Sequence, residues 1–373
     1  MSTIKVNNIQ GTGASTSAIV VNSSNGTCTA NVTNNLSNRN KVINGDMQIA
    51  QRGTSTSGVT GIGIFACDRQ KTLLLSAGTW TVSQSSEAPS DNGFTKSLKY
   101  DCTSADTSLG SNDYFQHYYR IEGQDLQDVR KGTSNAKPLI LSFWVKTNKT
   151  GTYNVELIDQ DNSRLCSQSY TVANTNWNKY TIVFPADTTG AFNNDNGVSL
   201  DIGWWLAAGS TYTGGSTQTS FGSFTQANRA PDLNVNLADS TSNEWYITGI
   251  QLEIDHQGTG IATEFEHKMH GEELARCQRY YEVHYQSTGT ASMYSTGDST
   301  IKFAHTWYYH VCKRANPTVS LINSGYFNAS GGSALTLTGI FTSKNHVMFY
   351  SNSNQFRLLG SSQVALVQSE SEL

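Results

Sequence analysis

Short runs rich in β-branched and aromatic residues, at 71–75, 79–84, 96–101, 114–122, 139–147, 152–158, 165–172, 179–185, 199–206 and 245–254, follow one another with polar stretches between them. The connections hold the turn formers, as in Asp159-Gln160-Asp161-Asn162-Ser163 and Asn193-Asn194-Asp195-Asn196-Gly197. Many short strands with turns at near-regular intervals predict an all-β chain, here an antiparallel β-sandwich of jelly-roll type over about 39–268. A Gly/Ser/Thr-rich stretch at 207–228 interrupts the rhythm and predicts an ordered surface loop.

One helix is expected, near 271–284 within a linking segment 269–284. There Leu274, Cys277, Gln278 and Tyr281 follow three-and-four spacing, and Glu272-Glu273 sit where the amino-terminal dipole favours acid. Strand-like runs then return at 301–311, 318–323, 334–342, 345–350, 355–359 and 363–367, enough for a small β tip domain over 285–373. At the other end, residues 1–38 scatter Ile4, Val6, Ile9, Ile19, Val20, Val21, Cys28 and Val32 through Ser, Thr, Asn and Gly. So few apolar anchors make no core of their own. The segment therefore predicts short strands completed by symmetry mates or by a docking protein, with a disordered leader as the competing reading.

A chain of 373 residues can hold two domains and an extension. Its charged fraction of 14% is far below the usual value of about 25%, so its polarity comes from Ser, Thr, Asn, Gln and Gly. Uncharged contacts of that kind suit sugar hydroxyls and are not screened by salt, although many viral and secreted β-proteins share them. The net charge of −4 and the lack of Lys/Arg blocks argue against a nucleic-acid partner. No apolar run is long enough for membrane insertion, and Met1-Ser2-Thr3-Ile4-Lys5-Val6 lacks a signal peptide's apolar core. Cys28, Cys67, Cys102, Cys166, Cys277 and Cys312 are scattered without ligand spacing, which predicts reduced, mostly buried thiols, no disulfide and no zinc.

The segment Asn40-Lys41-Val42-Ile43-Asn44-Gly45-Asp46-Met47-Gln48-Ile49-Ala50-Gln51-Arg52-Gly53, followed after a spacer by Phe65-Ala66-Cys67-Asp68-Arg69, is the most informative local motif. After the turn-prone Asn44-Gly45, Met47, Ile49 and Gln51 share one face and Asp46, Gln48 and Ala50 the other, which predicts a strand ended by Arg52-Gly53. An ordinary amphipathic edge strand explains this equally well. Further on come Lys96-Ser97-Leu98-Lys99, Ile121-Glu122-Gly123-Gln124-Asp125-Leu126, Leu141-Ser142-Phe143-Trp144-Val145-Lys146, Thr181-Ile182-Val183-Phe184-Pro185, Ile247-Thr248-Gly249-Ile250-Gln251-Leu252-Glu253 and Cys277-Gln278-Arg279-Tyr280-Tyr281. In that order, over about 38–284, these segments resemble a bacteriophage tail-fibre family common in marine and cyanobacterial viruses. The phrase around Trp144 also occurs in carbohydrate-binding jelly rolls, so it is the ordered combination that is specific.

The resemblance implies a carbohydrate-binding-module-like sandwich in a homotrimeric virion protein assembled in the host cytoplasm. Its amino-terminal segment would attach to a tail adaptor, nozzle or baseplate protein through Ile4, Val6, Ile9, Ile19, Val20 and Val21. Its carboxy-terminal tip, as the part farthest from an anchored amino terminus, would bind a host surface polysaccharide without cleaving it. A head fibre or decoration protein without receptor role, and a glycan-degrading tailspike, are the alternatives.

Several constellations bear on that choice. Asp46, Gln48 and Glu253 would come together to hold a structural calcium ion if the first and last strands of the sandwich pair, as in related jelly rolls. Ordinary hydrogen bonding, or an ion pair with Arg52 or Arg69, is the other reading. Asp159 to Ser163 reads as a β-turn, and His267 and His270 lack a third metal ligand. Glu122, Asp125, Glu156 and Glu244 could in principle flank a cleft, yet their spacing says nothing of catalysis, and no nucleophile elbow, phosphate loop, Cys/His signature or β-helix repeat is present. The chain is therefore read as a non-enzyme. Exposed aromatics stack on sugar rings, whereas buried ones are core. Trp307, Tyr308 and Tyr309 form the preferred receptor cluster, with Trp205 and Tyr212 as further candidates and core or trimer packing as the alternative. Of the adjacent Trp204 and Trp205, one should be buried and the other exposed or covered by a neighbour.

Overall fold

In an extended run successive side chains point to opposite faces, so each strand can give half its residues to a shared interior. A computed structural model describes residues 6–15, 17–30, 37–286, 303–321, 327–328, 339–351, 357–358 and 364–373. β1 (Asn8–Ile9), β2 (Ile19–Val21) and β3 (Cys28–Ala30) form a small antiparallel meander. The central strands are β4 (Ser55–Val59), β5 (Lys71–Leu75), β6 (Thr79–Ser85), β7 (Ser97–Ser104), β8 (Tyr114–Glu122), β9 (Leu139–Thr147), β10 (Gly151–Asp159), β11 (Arg164–Val172), β12 (Asn178–Phe184) and β13 (Val198–Ala208). A helical turn α1 (Ser210–Thr213), then β14 (Gly222–Ser223) and β15 (Glu244–Ile254), complete them.

These strands make two six-stranded antiparallel sheets, in the orders β14-β11-β10-β13-β8-β5 and β12-β9-β15-β7-β6-β4. Their inner faces share one apolar core, with Tyr119, Val155 and Trp204 from the first sheet and Val82, Phe143 and Trp245 from the second. The protein is thus an antiparallel β-sandwich. β8 and β9 match the runs read from sequence residue for residue. Residues 160–163 form the turn between β10 and β11, and Asp159 accepts hydrogen bonds there from the backbone and side-chain amides of Asn162.

Two expectations are corrected. The segment around Asn44 is not a ladder strand, because Asn44 and Met47 adopt left-handed φ values of 59° and 61°. Its burial still alternates as expected, with Met47 and Ile49 buried and Asp46, Gln48 and Ala50 partly exposed. The backbone groups are instead satisfied singly: Lys41 N–H donates to Leu252, and the Gly45 carbonyl accepts from Ile250 N–H. The helix α2 (His270–Gln278) also ends earlier than predicted. From Tyr281 the chain runs as β16 (Tyr281–Gln286), paired antiparallel with the strand Val364–Glu370. The alternation of Tyr281, Val283 and Tyr285 there outweighs the helical spacing of Tyr281 with Cys277.

Val364–Glu370 lies between β16 and the strand Thr318–Leu321, while Phe303–Tyr308, His346–Ser351 and Gly339–Thr342 form a second three-stranded sheet. Among the described residues no helix is long and apolar enough to cross a membrane. The thiols of Cys67, Cys102, Cys166 and Cys277 are buried and those of Cys28 and Cys312 exposed, all unpaired.

One polar side chain sits deep between the sheets. His117 on β8 faces inward, its Nδ1 lying 3.1 Å from the Tyr100 hydroxyl and its ring packed on Trp204 and Trp245. Burial pushes its pKa down to about 3 from the ordinary 6.5. The folded state therefore holds this histidine neutral while the unfolded chain protonates it, so its contribution is intact above about 6.5 and is lost as pH falls towards 3. Compared with His117→Gln, the wild type should lose up to about 1.4 kcal/mol more per pH unit within that window. Urea midpoints of the two proteins across the window check this, and parallel pH profiles would refute it.

Candidate functional site

The residues of the Asn40–Arg69 motif serve as a structural joint. Asn44 donates through Nδ2 to the Ile49 and Asp68 carbonyls, both at 2.9 Å, and accepts from Ile49 N–H through Oδ1. Its own N–H donates to the carboxylate of Glu273 on α2. Gly45 lies so close to β15 that a Cβ there would stand 2.1 Å from the Ile250 carbonyl oxygen. Asp68 accepts from the backbone and side-chain amides of Gln51, yet burial raises its pKa to about 6 despite the nearby Arg52. The guanidinium of Arg52 stacks on Tyr281 and that of Arg69 on Tyr280, each 3.6 Å from the ring centroid.

The calcium ligand set is not brought together. Asp46 and Gln48 line a cleft of about 240 Å³ beside His267, His270 and Glu273. Glu253 instead lines a separate groove next to Arg39, its carboxylate taken by Thr263 N–H at 2.8 Å, Thr263 Oγ1 at 2.6 Å and Gln251 Nε2 at 3.2 Å. The motif does run along β15, yet Asp46 and Glu253 face different clefts. His267 packs on Phe94 and Phe265. Among the described residues no cluster of three or more His, Cys, Asp or Glu is placed to hold a metal.

Three of the four carboxylates, Glu122, Glu156 and Glu244, are tied into ion pairs. Glu122 accepts from Arg279 and from the Tyr280 hydroxyl, and Glu156 from Arg229 and Gln116. Asp125 is raised by its own burial and by the charge of Glu122. For Glu244, burial alone would raise the pKa, but hydrogen bonds from Lys99 and Tyr246 hold it below the usual range.

Strand geometry also sorts the aromatic candidates. Trp204 enters the core, and Trp205 on the opposite face is covered by Arg229 at 4.8 Å and by Tyr212 at 5.0 Å. The 207–228 stretch contains α1, whose Tyr212 lies on this face, and β14, which pairs with the edge of β11. Trp205 and Tyr212 are consequently buried, and their assignment as sugar platforms is corrected: neither offers an open ring face. Of Trp307, Tyr308 and Tyr309, alternation leaves Tyr308 outward, 75% exposed. Trp307 is half-buried, and Tyr309 is buried under Lys313 with its hydroxyl accepting from Ser369. In the meander Val6, Ile9 and Val20 are exposed and Ile19 and Val21 half-buried, while Ile4 lies outside the described residues.

A face that sequence reasoning missed lies on the solvent side of the β12-β9-β15-β7-β6-β4 sheet. Lys146, Tyr246, Lys99 and Ser83 form one cross-strand row, and Lys179, Trp144 and Thr248 the next. Trp144 is half-buried, and the left-handed Gly249 lets its ring lie close, since a Cβ there would stand 2.9 Å from Trp144 Cδ1. Trp177, also half-buried, meets Tyr246 edge-on at 6.2 Å and donates through Nε1 to Glu87 at 3.1 Å. Hydrogen bonds from Lys146 and then Trp177 lower the Glu87 pKa. Lys99 pairs with Glu244 at 2.6 Å and Lys146 with Glu87 at 2.9 Å. Half-open rings in a frame of fixed donors and acceptors can stack on and hydrogen-bond a polyhydroxylated ligand. Trp144 follows the inward Phe143 on the strand and so takes the opposite face, whereas Trp177 sits in a turn that carries no periodic signal.

No family model matches the chain, and no curated protein matches it either. Among solved structures it is similar to the enzymatically active domain of bacteriophage CBA120 tailspike protein 4, with 12% identity, a TM-score of 0.30 and coverage of 58% of this chain but only 21% of the tailspike chain. It is also similar to the CBM22-1 xylan-binding domain of Xyn10C from Paenibacillus barcinonensis, at 11% identity and TM-score 0.27 over 54% of this chain and 92% of that one. The family 11 carbohydrate-binding module of Lic26A-Cel5E from Clostridium thermocellum matches at 14% identity and TM-score 0.26, over 58% of this chain and 96% of that one. Likenesses with TM-scores of 0.30 and under carry no argument about what this chain does.

Proposed function

We propose that the chain is a structural tail fibre of a bacteriophage that binds a host surface glycan without cleaving it. The open sheet face carries this reading, because Trp144 and Trp177 are held half-exposed while Lys99 and Lys146 are already paired with Glu244 and Glu87. Such a surface favours an uncharged, hydroxyl-rich ligand over an ionic one. The phage assignment rests on the ordered sequence segments, and the exposed apolar residues of the meander support attachment of that end to the virion or to sister chains in a trimer. Tyr308 remains the tip's aromatic contact. Engagement of Glu122, Glu156 and Glu244 in ion pairs supports binding over hydrolysis.

Affinity electrophoresis in gels containing host envelope polysaccharide tests this. Trp144→Ala and Trp177→Ala should each weaken retardation about tenfold, a loss of about 1.4 kcal/mol, with the melting temperature held. If both variants bind like the wild type while Tyr308→Ala does not, the sheet face is not the site.

A further inference from the structure

The chain's last residues do not point away from the molecule; they return to the sandwich. Val364–Glu370 pairs antiparallel with β16, so the strands that flank the part between Gln286 and Val364 lie side by side. Beyond that pair, Ser371 N–H donates to the Tyr280 carbonyl at 2.7 Å, and Lys71 Nζ donates to the Leu373 carbonyl at 3.1 Å. Arg314 donates to the carbonyls of Ser371, Glu372 and, on the sandwich side, Asn196.

Ion pairs join these hydrogen bonds. Both motif arginines converge on one carboxylate, Arg52 reaching Glu372 Oε1 at 3.1 Å and Arg69 reaching Glu372 Oε2 at 2.5 Å. Arg69 is held in a left-handed conformation with φ 68° and is almost wholly buried. A charge in that setting needs a partner. The tyrosines beneath the two guanidiniums come from Tyr280 and Tyr281, where the chain passes from α2 into β16. One small site therefore joins the sandwich, the first strand of the tip and the last residues of the chain.

We infer that Ser371–Leu373 is a latch, with the Glu372 carboxylate as its key and the Arg52–Arg69 pair as its receptor, that clamps the β16 and Val364–Glu370 strands at the base of the tip to the sandwich. The tip is then held in a fixed attitude and not tethered by a flexible linker. Residues 371–373 thus lie against the sandwich, contrary to the expectation that this end of the chain is the part farthest from an anchored amino terminus.

Hydrogen exchange on the full chain, read by mass spectrometry, tests the latch. In Glu372→Gln and in a chain lacking residues 371–373, exchange in 281–286 and 364–370 should rise at least about tenfold, while β9 and β15 keep wild-type protection. Glu372→Asp should restore part of it. Unchanged exchange at the tip base in Glu372→Gln would overturn the inference, and so would a simultaneous loss of protection in β9 and β15, since the contact would then belong to the sandwich core. Binding of polysaccharide by the open sheet face should persist in both variants, which separates this test from that of the glycan site.

Discussion

Replacing Arg229 with methionine is expected to destabilise the sandwich by roughly 3–5 kcal/mol, the cost of leaving a buried ion without its partner. Glu156 is fully buried on β10, and its carboxylate accepts from Arg229 through Nε at 3.0 Å and Nη2 at 2.5 Å. Gln116 adds a third donor at 2.8 Å, but an amide cannot neutralise the charge. Arg229 also covers Trp205 with its guanidinium, so the substitution uncovers an indole as well. The pair itself contributes less than its breakage costs, because both ions were taken out of water to form it. Arg229→Met combined with Glu156→Leu should therefore recover most of the lost stability. Urea unfolding of the single and double variants checks both statements. A single variant within about 1 kcal/mol of wild type would place this pair with ordinary surface ion pairs.

Asn44→Ala should cost roughly 3 kcal/mol or more. A left-handed φ of 59° is tolerated by asparagine and costs alanine about 1 kcal/mol. Ile49 N–H and the Asp68 carbonyl would also lose their side-chain partner inside a buried turn, at about 1–3 kcal/mol each when left unpaired. Asn44→Gly relieves the backbone term alone and should fall between alanine and wild type. Equal stabilities for alanine and glycine variants would show that conformation contributes nothing at this position.

Local periodicity carried much of the fold. β8 and β9 were readable because strand-forming aromatic and aliphatic residues fill a full strand length between turn-rich segments, and the turn at Asp161-Asn162 because its residue types bend the chain unaided. The Asn44 segment misled for a physical reason: burial alternates through it, but left-handed residues break the ladder that alternation normally accompanies. Tyr281 fitted two periods at once, and pairing with Val364–Glu370, some eighty residues away, decided between them. Trp205 was correctly separated from Trp204, yet only the folded loop shows that Arg229 and Tyr212 cover it. The contact of Glu372 with Arg52 and Arg69 joins residues about three hundred positions apart, and no local pattern announces it.

As proposed above, the chain binds a host glycan and leaves it intact. Purified protein should be titrated against host envelope polysaccharide by calorimetry, with new reducing ends assayed in the same samples after incubation. Saturable heat that is diminished in the Trp144→Ala, Trp177→Ala double variant, with no new reducing ends, is the predicted result. Release of reducing ends, or binding untouched by the double substitution, would contradict it.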